Sequence, residues 1–213
     1  MFQKFVFLIG LSFASVVMAE DCSFRPEVNI VADSEWQEEH AEFIESVKAQ
    51  LEAVVCLIEK ESKNPNSLIR TQHLIDALAG ARIASYELRD ELAAKRDDVA
   101  KTYSMFAVKD GKPFLESARV VVYAPRALRA YRNGEQAGVS SSDRKAFLRT
   151  YSGDYGSGES YLFSLLAHEI GHVVPELNIT KERGRWSSRS NWDMEKRADQ
   201  FAESLRVSFG IED

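Results

Sequence analysis

The amino-acid sequence predicts a mainly helical α+β fold, in which a helical hairpin precedes a region with a small antiparallel sheet. Apolar residues recur at helical spacing through the first half of the chain, and β-branched residues cluster near its centre. Two further helical segments follow a long polar stretch. With 213 residues, the chain is long enough for one domain with a substantial hydrophobic core.

The composition is that of an ordinary globular protein, with 45% hydrophobic and 28% charged residues. The formal net charge is −6, which argues against nucleic acid as the main partner because no broad basic surface is expected. The same acidic balance gives no reason to expect attraction to anionic membranes.

Residues 1–19 have the pattern of an export signal. Lys4 supplies a positive charge, residues 5–17 form a nearly continuous apolar run, and residues 17–19 fit the small-x-small motif of a cleavage site. The alternative is an N-terminal membrane anchor, but the run is short for a spanning helix, which needs roughly 20 apolar residues. We therefore expect an exported, periplasmic or secreted protein, with no membrane-spanning segment in the mature chain that begins at Glu20.

The chain has two cysteines, Cys22 and Cys56. An even number in an oxidising compartment favours one disulfide, which would tie the mature N-terminus to the first helix. In the chain-entropy model, closing a loop of about 34 residues stabilises a fold by roughly 3–4 kcal/mol. The alternative is a free Cys56 buried among apolar neighbours. A cysteine-based zinc site is not expected, because the sequence has no CxxC pair.

Two amphipathic segments predict a helical hairpin within residues 20–102. The first segment runs from about Ser34 to Ser62 and the second from about Leu68 to Val99, each with apolar residues at helical spacing. We interpret the hairpin as a packing element that could also dock a protein partner. His40 and His73 fall within it and are expected to be ordinary surface or partly buried histidines.

Residues 103–213 change in character. Residues 103–108 and 119–123 favour strands, and a turn-forming Lys-Asp-Gly-Lys sequence lies between them. A short helix is expected over residues 126–136, followed by a long Ser- and Gly-rich loop. Two longer helices then follow. They are expected at residues 162–174 and from Asn191 to Phe209.

The first of these two helices carries His168-Glu169-Ile170-Gly171-His172. Since an α-helix turns about 100° per residue, the two histidines lie one turn apart on one face and can share a Zn²⁺ at roughly 2.0–2.1 Å. Glu169 can then take a proton from a water activated by the ion. Gly171 costs about 1 kcal/mol relative to alanine in a helix, which predicts the close approach of another element.

The third ligand is expected to be a carboxylate. Pro175 and Asn178 exclude the extended HExxHxxGxxH pattern, and no histidine follows His172. Glu195 would complete a His₂Glu site with an open fourth position, and Asp199, one turn later, could accept a hydrogen bond from a zinc-bound histidine. The competing carboxylates are Asp193, Asp199 and Glu203.

The motif His168-Glu169-x-x-His172 followed by Glu195-x-x-x-Asp199 resembles the gluzincin branch of zincin metallopeptidases. The resemblance covers roughly residues 157–209 and implies a zincin-like domain with a glutamate-bearing second helix and a sheet whose edge strand binds an extended peptide. Residues 119–123 are the candidate for that edge. It also implies a donor for the tetrahedral oxyanion. The candidates for this donor are Tyr151, Tyr155, Tyr161, Arg185 and Arg189.

These features predict an exported zinc metallopeptidase that acts on a peptide or protein substrate. One Zn²⁺ would be held by His168, His172 and Glu195, with Glu169 as general base and later proton donor. Two alternatives stay open: a non-catalytic, zinc-stabilised binding or regulatory protein that docks a partner through the helical hairpin, and a zinc amidase acting on cell-wall peptides. Glu169 argues against the first, since a structural site has no use for such a carboxylate.

Overall fold

The computed structural model describes residues 22–92, 99–133, 157–182 and 184–210. The strands are β1 (Val28–Val31), β2 (Ser85–Arg89), β3 (Ala100–Lys109), β4 (Lys112–Tyr123), β5 (Ile179–Glu182) and β6 (Arg185–Ser188). The helices are α1 (Ser34–Glu39), α2 (Ala41–Glu61), α3 (Thr71–Ile83), α4 (Ala124–Asn133), α5 (Gly158–Gly171), α6 (Pro175–Asn178) and α7 (Asn191–Phe209). The predicted export signal lies outside the described residues, within which no helix has the length and apolar character needed to cross a membrane.

Four strands form one mixed sheet in the order β1-β2-β4-β3. The pairs β1–β2 and β2–β4 are parallel, and β3 is antiparallel to β4. The predicted antiparallel arrangement is therefore correct for the β3–β4 hairpin and wrong for the rest of the sheet. Parallel neighbours need a long crossover connection, which α1, α2 and α3 provide between β1 and β2. The hairpin itself turns through two residues with positive φ, Asp110 at 51° and Gly111 at 73°.

The prediction of a helix for the second half of the hairpin, from about Leu68 to Val99, is partly wrong. Its helix ends at Ile83, and residues 85–89 form strand β2 in the interior of the sheet. Tyr86 and Leu88 are buried on one face of this strand. Their spacing of two suits a strand, but Tyr86 also lies three residues after Ile83 and Leu88 four before Leu92, and these spacings fit a helix.

The predicted edge strand is also misplaced. Residues 119–123 belong to β4, which pairs with both β2 and β3, so this segment is interior, and the edge strands of the sheet are β1 and β3. Residues 120–123 are all buried. A continuous buried run, in place of an alternating one, is typical of an interior strand covered on both faces.

One hydrophobic core joins the helices to the sheet. Its most buried side chains come from both helices and strands, and include Val54 of α2, Leu88 of β2, Val120 of β4 and Phe163 of α5. Helix α5 is central, because it packs against α2, α3, α4, α7 and β3. The strands of the N-terminal half and the helices of the C-terminal half therefore share a single interior.

The C-terminal helices begin and end at recognisable capping residues. Ser157 caps α5 by accepting a hydrogen bond from the Ser160 amide, and Ser190 caps α7 by accepting one from the Asp193 amide. Gly210 ends α7 with a φ of 76°. The polar connection between the helices forms the antiparallel β5–β6 hairpin, which the sequence patterns did not indicate.

A disulfide and a buried carboxylate hold the N-terminal segment. Cys22 and Cys56 are paired, as the cysteine count predicts, with Cα atoms 5.5 Å apart. Glu59, one turn further along α2, accepts hydrogen bonds from the amide and hydroxyl of Ser23 at 3.1 and 2.9 Å and from Lys63 at 2.9 Å. The bonds from Lys63 and Ser23 outweigh the effect of burial and lower the pKa of Glu59 to about 2.

Helices α5 and α7 are in close contact at Gly171. A Cβ atom at this position would lie 2.9 Å from the Cα of Ala198 and 3.1 Å from its Cβ. The first distance leaves no room for a side chain. Gly171 therefore allows the close approach that the sequence predicts, and it sets the depth at which α7 lies against α5.

Glu59→Gln should alter the pH dependence of stability. Because the folded-state pKa of about 2 lies below the ordinary 4.5, the carboxylate stabilises the fold above pH 4.5, and this contribution is lost as the pH falls towards 2. Urea unfolding should show a wild-type advantage at pH 7 that shrinks below pH 4.5. Glu45→Gln, at an exposed position of the same helix, is the control, and an equal pH dependence in both variants would contradict the prediction.

Gly171→Ala should destabilise the protein, although alanine is the better helix former. The added methyl group would meet the backbone of α7, and overpacking of this kind costs about 1–3 kcal/mol. Thermal unfolding measures the effect as a lower Tm. A Tm at or above the wild-type value would mean that α7 can move away from α5 without cost.

Candidate metal centre

Two helices bring together two histidines and two carboxylates. His168 lies in the last turn of α5 and His172 is its C-cap residue, with helical backbone angles of −73° and −6°. Glu195 and Asp199 lie one turn apart on α7. The contact between Gly171 and Ala198 holds that face of α7 against the end of α5, next to the turns that carry the four side chains.

Three atoms that could bind a metal ion converge in this region. The Nε2 atoms of His168 and His172 are 3.1 Å apart, and Oε2 of Glu195 lies 3.1 and 3.5 Å from them respectively. Ligands at about 2.0–2.1 Å from a tetrahedral ion are roughly 3.3–3.4 Å from one another, so the observed spacing suits one ion. In the described part of the chain, no other group of three or more His, Cys, Asp or Glu residues meets this requirement.

Asp199 orients His168. Its Oδ1 lies 2.6 Å from Nδ1 of His168, and the two side chains are only 5% and 10% exposed. An ionised carboxylate can only accept, so Nδ1 carries a proton and donates a hydrogen bond to Asp199. When the imidazole is neutral, its Nε2 atom therefore presents a lone pair towards His172 and Glu195.

Asn178 orients His172 in the same way, although the sequence patterns did not point to it. Its amide nitrogen donates to the carbonyl oxygens of Gly171 at 3.2 Å and Val174 at 2.8 Å. These two bonds direct the amide oxygen to His172, where it lies 3.3 Å from Nδ1. In the sequence, Asn178 stood out only because it is not the histidine of the extended motif. Helix α6, which begins at Pro175, returns its side chain to the end of α5.

The donor set fits a cation. With both Nδ1 atoms donating outwards, two imidazole lone pairs and one carboxylate face a common point, and they repel one another unless a positive charge lies among them. A proton also meets this need. Burial lowers the pKa of His168, but the hydrogen bonds with Asp199 and Glu195 outweigh it and raise that pKa well above its usual value. Burial raises the pKa of Glu195, but His168 and His172 hold it well below its usual value.

Glu169 directly follows His168 on α5, and its side chain is held by another element. Only 5% of it is exposed, and its Oε2 accepts a hydrogen bond from Oγ1 of Thr102 on β3 at 2.7 Å. The same hydroxyl lies 3.1 Å from the main-chain oxygen of Glu169. No sequence pattern indicated Thr102, because only the register of the sheet places it over α5.

Solvent reaches the cluster of His168, His172 and Glu195 from the side of Glu195. The Glu195 side chain is 49% exposed, compared with 10% and 12% for His168 and His172. The two histidines are therefore fixed in a buried setting, whereas the carboxylate lies at the surface. An ion held by two buried histidines and one surface carboxylate can keep a fourth coordination position accessible to water or to another molecule.

Two of the competing carboxylates, Asp193 and Glu203, lie elsewhere. Asp193 forms ion pairs with Arg189 and Arg197, each at 3.1 Å, and these two arginines lower its pKa against the effect of burial. Glu203 pairs with Arg206 at 3.0 Å. None of these residues belongs to the converging group, which leaves Glu195 as its carboxylate member.

Among the described residues, the other histidines and the candidate oxyanion donors do not belong to the converging group. His40 stacks on Trp36, and His73 lies 3.1 Å from Glu176. Among the candidate oxyanion donors, Tyr161 is buried in the core, and the guanidinium of Arg189 donates to Asp193 and to the main-chain oxygen of Glu176. Arg185 lies on the exposed strand β6. Tyr151 and Tyr155 lie outside the described residues.

No protein-family model matches the chain, and no match is found among curated proteins or solved structures. The resemblance to gluzincins therefore depends on the two motifs on α5 and α7.

Proposed function

We propose that the protein is an exported, zincin-like zinc peptidase that hydrolyses peptide bonds. The observation that carries the proposal is the convergence of His168, His172 and Glu195, with a separate acceptor behind each histidine. Two imidazoles and one carboxylate form a donor set that suits Zn²⁺ and leaves a fourth position open. The paired cysteines support an oxidising, extracytoplasmic location.

Glu169 acts as the general base and later as the acid. When bound, Zn²⁺ would supply Lewis-acid chemistry by polarising the substrate carbonyl and making water more acidic. The Glu169 carboxylate takes a proton from the attacking water and delivers it to the leaving amine as the peptide bond breaks. Asp199 and Asn178 hold the imidazoles in the tautomers that present Nε2 throughout.

Strand β3 is the element to which an extended substrate would add. Among the described strands it pairs with β4 alone, so its other side presents backbone groups that can bind a further strand. Thr102 places this strand beside Glu169. A peptide hydrogen-bonded along β3 would therefore pass the base. Strand β3 thus takes the place of residues 119–123 as the edge strand that would bind an extended peptide.

Glu169→Gln should retain zinc and lose peptide cleavage. Glutamine has nearly the same shape but cannot take up the proton, so kcat should fall by about 10²–10⁴-fold. Zinc content and cleavage of a peptide library measure the two properties separately. Glu203→Gln, an exposed change on α7, is the matched control.

The outcomes of this experiment separate the candidate functions. Equal cleavage by wild type and Glu169→Gln would exclude Glu169 as the base. Zinc bound without cleavage by wild type would favour a non-catalytic binding protein. Cleavage of cell-wall peptides alone would indicate an amidase that uses the same site.

Replacing Asp199, Asn178 or Glu195 should weaken zinc binding, and the loss should be at least as large for Glu195 as for the other two. Asp199→Ala and Asn178→Ala remove only the acceptors behind the histidines, so a loss of about 10–100-fold is expected. Glu195→Ala removes a ligand and should cost at least as much. Competition with a chromophoric chelator measures each dissociation constant, with Asp193→Ala as the control on α7. An unchanged affinity in Glu195→Ala would move the third ligand elsewhere.

A further inference from the structure

One hydroxyl group links the edge strand of the sheet to the carboxylate of Glu169. Oγ1 of Thr102 lies 2.7 Å from Oε2 of Glu169 and 3.1 Å from its main-chain oxygen. A hydroxyl has a single proton and both of these oxygens only accept, so Thr102 donates to one of them at a time. The shorter distance and the negative charge favour Oε2, because charge-assisted hydrogen bonds are the stronger ones.

Thr102 is a rigid donor. Its backbone is fixed by pairing with Val120 in the β3–β4 ladder, and its β-branched side chain has few allowed rotamers. Helix α5 fixes the Cα of Glu169 from the other side. The remaining freedom lies in the rotatable bonds of the glutamate side chain, and the hydrogen bond from Thr102 restricts them.

We propose that Thr102 is a positioning residue for Glu169, an inference that rests on the proposed peptidase function. The hydrogen bond occupies Oε2 and leaves Oε1 as the atom that takes the proton of the attacking water. Thr102 also belongs to the strand to which the substrate would add. The strand on which the peptide would lie therefore also supplies the side chain that aligns the base.

Thr102→Val tests the proposal, because valine keeps the shape and removes the hydroxyl. We expect kcat to fall by about 10–100-fold, since displacement of a catalytic group by 1 Å can cost about 10²-fold. KM and zinc affinity should stay within about twofold of wild type, because neither depends on the direction of the Glu169 carboxylate. Thr102→Ser restores the donor and should recover most of kcat.

Thr180→Val is the matched control, because Thr180 is also partly buried on a strand and lies outside the proposed machinery. Its kcat should equal that of wild type. Thr102→Ala provides a second deletion of the hydroxyl if the valine variant does not fold. A wild-type kcat in the folded deletion variant, or a change confined to KM, would overturn the proposal.

The carboxyl carbon of Glu169 gives a readout that does not require activity. In protein labelled with ¹³C at glutamate carboxyl groups, its NMR signal is the one that Glu169→Gln removes. This signal should shift in Thr102→Val and return in Thr102→Ser, whereas an unmoved signal would overturn the proposal. If wild type cleaves no peptide, the peptidase function fails and takes the positioning role with it, and the NMR signal still reports whether the hydrogen bond exists.

Discussion

The contact between Gly171 and the backbone of α7 is the constraint on which the centre of this protein depends. A methyl group at this position would meet the Cα of Ala198 at 2.9 Å, so a larger residue would force the two helices apart. The three distances that join His168, His172 and Glu195 are 3.1 to 3.5 Å. Separation of the helices would carry the backbone of Glu195 away from the histidines and lengthen these distances.

Around α5, three neighbouring elements each supply one polar contact to a buried polar side chain. Helix α7 supplies Asp199 to His168, helix α6 supplies Asn178 to His172, and strand β3 supplies Thr102 to Glu169. Buried polar groups are costly without partners. These contacts therefore give the three polar side chains hydrogen-bond partners and also fix their orientation. The contacts that orient the site thus come from three elements, whereas its candidate metal ligands come from two helices.

Sequence patterns predicted the parts of the site that depend on local geometry. His168, Glu169 and His172 follow from helical spacing, and Glu195 with Asp199 follows from the same spacing once histidines are excluded. Asn178 and Thr102 could not be predicted, because the direction of α6 and the register of β3 arise from tertiary packing. The sequence predicts a helix at β2 because Tyr86 lies three residues after Ile83 and Leu88 four before Leu92, which are helical spacings. The order of strands in the sheet has no local signal.

The bond between Cys22 and Cys56 also bears on how the chain folds. Strand β1 must find β2 across a long connection, since Val28 pairs with Tyr86, and contacts between residues so distant in sequence form slowly. The disulfide ties the segment before β1 to α2, so it reduces the conformational search that this parallel pairing requires. We expect oxidation to precede and accelerate closure of the sheet, which would make the redox state of the compartment a determinant of folding speed.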